Sequence, residues 1–79
     1  MNYYVFETQV RPDGVVNIMQ TIARSSETMA FAYYYERCSK MSANDQFVSA
    51  HVMLCDHQLN VLDRKDVKTS YVAPEIGGE

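Results

Sequence analysis

The sequence predicts an α+β protein, one helix packed on one face of a four-stranded antiparallel sheet, in the chain order ββαββ. Three observations lead there. The stretch Glu27–Met41, ETMAFAYYYERCSKM, is the only one long and helical enough to cover a sheet. The chain on either side of it divides into runs rich in β-branched and aromatic residues, the composition of strands. Those runs meet at polar turns, the sharpest being Arg11-Pro12-Asp13-Gly14. A helix with one apolar stripe must bury it, and the sheet made by two flanking hairpins is the surface on offer. The first and third strands are the most apolar and belong in the middle, which gives the sheet order 2-1-3-4.

In chain order, Asn2–Val10 alternates, with Tyr4, Phe6, Thr8 and Val10 on one side and Tyr3, Val5, Glu7 and Gln9 on the other. In the turn that follows, proline presets φ, aspartate bonds locally and glycine takes a positive φ. Val15–Ala23 is the second strand, with Val16, Ile18 and Ile22 on one face interrupted by Gln20. Wound at about 100° per residue, Ala30, Phe31, Tyr34, Cys38 and Met41 gather into one core-facing stripe, opposite Met29, Tyr33, Glu36 and Lys40. Ser25 or Ser26 caps the first turn. Glu27 and the basic pair Arg37 and Lys40 suit the helix dipole at their respective ends. Adjacent tyrosines Tyr33, Tyr34 and Tyr35 point in different directions, so Tyr34 is expected in the core, Tyr35 at its flank and Tyr33 in solvent. In the third strand, Gln46–Cys55, the set Val48, Ala50, Val52 and Leu54 faces the helix. Asp56–Asn60 is a turn without glycine. Asn60–Val72 is a fourth strand whose charges, Asp63, Arg64, Lys65, Asp66 and Lys68, protect an edge from adventitious pairing.

At 79 residues the chain is one domain, expected over 1–72, with a tail at 73–79 whose proline and glycines predict disorder. The net charge of −3 gives no basic footprint for nucleic acid. No run approaches the roughly 20 apolar residues of a membrane span, and MNYYVFETQV lacks the basic and apolar regions of a signal peptide. Two cysteines are too few for a disulfide-built fold. A reduced, cytoplasmic protein with no membrane partner is expected.

His51, Cys55 and His57 share one face of a regular strand, but His51 and Cys55 stand about 13 Å apart at ~3.3 Å per residue. That separation is too wide for one metal ion with ~2 Å bonds. A cysteine–histidine pair lacks the third orienting group and the oxyanion donors that nucleophilic catalysis needs. The glycines, Gly14, Gly77 and Gly78, form no phosphate loop. No catalytic, cofactor-binding or metal-binding residue is assigned, no small-molecule ligand is indicated, and a non-enzymatic protein is expected. The informative feature is the sheet face that one helix leaves open. Its expected surface is Tyr3, Val5, Phe47, His51, Met53 and Cys55, mixed with Glu7 and Ser49. An apolar patch of this kind marks a protein contact, either with a protein partner or in a weak homodimer. The alternative is single-stranded nucleic acid stacked on sheet aromatics, which the acidic balance disfavours.

The run YYVFETQV with its Asp-Gly turn, the helix opening SSETMAFAYY, and SAHVMLCD leading through a short turn to VLDR carry a further observation. Over residues 3–70 the chain resembles the small hairpin–helix–hairpin proteins of bacterial phages and conjugative elements. The resemblance implies the ββαββ fold and a mobile-element origin, and it implies no catalytic residue. The last turn of that class usually carries glycine; here the place falls near Leu59.

Overall fold

The computed structural model describes residues 1–74. Its elements are β1 (Tyr3–Val10), β2 (Val16–Ile18), β3 (Ile22–Arg24), α1 (Glu27–Ser42), β4 (Ser49–Cys55) and β5 (Val61–Lys68). One helix lies on one antiparallel sheet, so the class is α+β. The sheet has five strands, which corrects the expected four. Its order is β2-β1-β4-β5, with β3 also paired to β1.

The extra strand comes from how the second limb pairs with β1. Ile18 pairs with Thr8 and Ile22 with Val5, so four steps of chain run beside three of β1. One surplus residue in one strand of an antiparallel pair is a β-bulge. Met19 N donates to Glu7 O (2.9 Å) inside the bulge, which keeps the second limb attached to β1 while splitting it in two. The bulge also reverses which side the even-numbered residues occupy. Val16 and Ile18 pair with Val10 and Thr8, whereas Ile22 and Arg24 pair with Val5 and Tyr3. The expected single face of Val16, Ile18 and Ile22 is therefore divided between the two sides of the sheet.

Both hairpin turns have one design. Arg11 N donates to Val15 O (2.8 Å) and Gly14 N to Arg11 O (2.9 Å). Asp56 N donates to Asn60 O (3.0 Å) and Leu59 N to Asp56 O (3.0 Å) in the same pattern. The fourth residue of each is left-handed, Gly14 at φ 88 and Leu59 at φ 65. This is the three-residue hairpin loop, a type I turn followed by a residue at positive φ. Asp56 replaces some of the missing glycine's convenience by accepting from Gln58 N and Asn60 N, each at 2.9 Å.

Ser26 caps α1, its hydroxyl accepting from Met29 N at 3.1 Å. Ala30, Tyr34, Cys38 and Met41 are buried against Val5, Ala50, Val52, Leu54 and Val67. Phe31 meets the Tyr34 ring edge-on, with centroids 6.4 Å apart. The flanking tyrosines are exchanged relative to expectation. Tyr35 is exposed, and Tyr33 is half-buried because β3 extends the sheet beneath it. Val48, expected within the inward set of the third strand, precedes β4 and is exposed. After β5, Ser70 N donates to Asn44 O and Thr69 Oγ1 to Phe47 O, tying the chain back to the loop that leaves the helix. Most of the tail expected at 73–79 lies outside the described residues. No helix among the described residues is long and apolar enough to cross a membrane.

Candidate functional site

The sheet face away from α1 is built by register. Residues directly opposite one another in a ladder point to the same side. Val5, Glu7 and Gln9 pair with Leu54, Val52 and Ala50, and all are buried beneath the helix. The open face therefore belongs to the other set of β1, namely Tyr4, Phe6, Thr8 and Val10, each half-buried. Beside Phe6 on β4 stands Met53, and beyond it Arg64 on β5. Thr8 has Ile18 on one side and His51 then Asp66 on the other; Val10 has Val16, Ser49 and Lys68. Ile18 is 82% exposed. His51 Nδ1 and Asp66 Oδ1 meet at 2.6 Å.

Of the surface expected from the sequence, His51 and Met53 lie on the open face. Val5 does not: it is buried in the helix-side core, with Tyr3 and Phe47 packed against that core. Cys55 pairs with Tyr4 and so points to the open side, but it is buried there, at the register shift next to Leu54. Tyr4, Phe6 and Ile18 take their places. The two sides of β1 differ in a way that inverts the usual signal. Its more apolar set faces outward, while Glu7 and Gln9 go in.

Glu7 is accommodated by a bidentate ion pair. Arg37 Nε donates to Oε1 (2.6 Å) and Nη2 to Oε2 (2.8 Å), and Gln9 Nε2 donates to Oε2 (2.6 Å). The side chain of Glu7 is 5% exposed and that of Arg37 20%. The hydrogen bond to Glu7 holds the guanidinium's pKa above its ordinary value, against the opposing effect of burial. Fork-to-fork geometry of this kind is what arginine supplies and lysine does not. Composition gave no sign of it beyond a carboxylate in mid-strand and an arginine on the margin of the helix stripe. Between this pair and the bulge lies a pocket of about 240 Å³, lined by Val5, Met19, Gln20, Ile22 and Tyr33 together with Glu7 and Arg37. Arg24 stacks over the Tyr33 ring, 4.9 Å from its centroid.

The remaining reactive groups are quiet. Burial pushes the Cys38 and Cys55 thiols up, and both cysteines are free. A protonated, desolvated thiol is a poor nucleophile. His57 is exposed in the β4–β5 turn, apart from His51 on the sheet face. Among the described residues no three histidine, cysteine or acidic side chains are grouped to hold a metal ion. Comparison with protein-family models, with curated proteins and with solved structures finds no match for this chain.

Proposed function

We propose that the chain is a small non-enzymatic accessory protein, of the kind mobile elements carry, that binds a protein surface through its open sheet face, a second copy of itself being the first partner to test. The observation that carries this reading is the apolar strip Tyr4, Phe6, Ile18, Val16 and Met53 on the sheet side away from α1, of which Ile18 and Val16 are exposed and the others half-buried. Fully burying one such side chain is worth about 1.5–3 kcal/mol. Association costs about 4–15 kcal/mol, so a strip of this size supports a complex in the micromolar range. The thiols, held protonated by burial, are poor nucleophiles, which supports a non-enzymatic role. Free thiols also suit a reducing compartment such as the cytoplasm.

A second reading has one observation in its favour. Tyr4 and Phe6 share the open face with Arg64 and Lys68, the pairing of aromatic and basic groups that single-stranded nucleic acid uses. Against it stand Asp66 between those cations and the net charge of −3. Sedimentation over about 10–500 μM, bracketing micromolar affinity, tests the first reading. Self-association that Ile18→Lys or Met53→Lys abolishes, with the circular dichroism unchanged, supports it. A monomer throughout removes the homodimer. Oligonucleotide binding that falls steeply with salt and requires Phe6 and Arg64 replaces it with the second reading.

A further inference from the structure

We propose that the pocket at the bulged edge binds a small monocarboxylate with an apolar body. This site lies on the helix side of the sheet and does not depend on the open face. Val5, Met19 and Ile22 give it apolar walls, and the surplus residue of the bulge opens the space between strand and helix. Its volume, about 240 Å³, is below that of drug-sized sites, which suits a ligand of a few carbons.

The polar groups set the ligand's head. Arg37 spends Nε and Nη2 on Glu7, and its Nη1 has no hydrogen-bond partner among the described residues. The Gln20 amide, solvent-exposed at the pocket's rim, and the half-buried Tyr33 also line the pocket and have no side-chain hydrogen-bond partner among the described residues. A few convergent polar groups on apolar walls are the ordinary make-up of a ligand site. Charge then selects among ligands. Glu7 is compensated by Arg37, and Glu36 by Lys40 at 2.9 Å. Arg24, stacked on the Tyr33 ring that lines the pocket, donates Nη1 to Ala23 O and has no carboxylate within ion-pair distance among the described residues. One surplus cation matches one negative charge. The unspent guanidinium nitrogen and the Gln20 amide donate to its oxygens, while the apolar chain lies along Met19 and Ile22.

The test is an amide NMR titration of the full chain with hexanoate, with the neutral isostere hexanamide, and with inorganic phosphate. Hexanoate is expected to shift Met19, Gln20 and Ile22 saturably, with a Kd of about 1 mM, in keeping with so few ligand atoms. Arg24→Gln should weaken it about fivefold, the upper range for an exposed ion pair. Met19→Trp, at a 41% exposed position that tolerates substitution, should fill the pocket and abolish saturation. Gln20→Leu provides a second, independent loss. No saturable shift with hexanoate overturns the site. Equal shifts with hexanamide or phosphate overturn the assigned ligand class, and shifts centred on His51 and Met53 move binding to the open face.

Discussion

The left-handed leucine in the β4–β5 turn makes a quantitative forecast. Leu59 sits at φ 65 in the position that Gly14 occupies, at φ 88, in the other turn. A side chain in that region costs about 1–2 kcal/mol against the right-handed alternative. Replacing it with glycine removes that cost but adds about 0.5–1 kcal/mol of backbone entropy lost on folding. Little burial is forfeited, because Leu59 is 60% exposed. Leu59→Gly should therefore stabilise the protein by about 0.5–1 kcal/mol, raising Tm by roughly 2–8 °C for a chain this size. The reciprocal change isolates the backbone effect. A Cβ added at Gly14 meets nothing within 4 Å, so Gly14→Ala is free of steric clash. It should destabilise by about 1 kcal/mol. Urea melts with a common m-value measure both. A destabilising Leu59→Gly together with a neutral Gly14→Ala would show that the turns do not share a left-handed fourth residue.

Three more outcomes are expected. Leu54 is fully buried beneath Tyr34 and its neighbours, so Leu54→Ala should cost about 2–5 kcal/mol in denaturant melts; a loss as small as a surface change would reject the register of β4. Glu7→Ala strands Arg37 without its carboxylate and should cost about 3 kcal/mol, the low end for a broken buried pair because Arg37 keeps some solvent contact. The double change Glu7→Met with Arg37→Met should recover most of that loss, and a double variant no better than Glu7→Ala would show that the pair is not coupled. Desolvation tends to raise the Asp56 carboxyl, but hydrogen bonds from Asn60 and Gln58 outweigh it and hold the pKa below its ordinary value. A depressed folded pKa stabilises above the unfolded value and is lost as pH falls through the folded one. Asp56→Ala should therefore flatten the acid side of the stability–pH curve, and an unchanged slope would assign that slope to other carboxylates.

Local chemistry wrote much of the architecture. Ser26 and Glu27 start the helix, the spacing of Ala30, Tyr34, Cys38 and Met41 sets its buried stripe, and Pro12-Asp13-Gly14 makes the first turn. The alternation of Ala50, Val52 and Leu54 fixed which side of β4 meets that stripe. Each of these depends on residues within a few positions of one another, which is why a sequence alone suffices. Which side of β1 goes inward was not legible. Both of its faces carry apolar residues, and hydrophobicity favours Tyr4, Phe6 and Val10 over Glu7 and Gln9. Only the arrival of Arg37 from a helix 30 residues further on makes a buried Glu7 acceptable. The bulge is likewise invisible locally, since a surplus residue exists only relative to the strand beside it. From those two long-range facts follow the composition of the open face and, on the helix side of the sheet, the pocket at the bulge. Periodicity determined the helix, the turns and the core of β4, while pairing across the sheet and one buried ion pair decided where the candidate sites lie, because burying a charge is permitted only by a partner that folding brings from elsewhere.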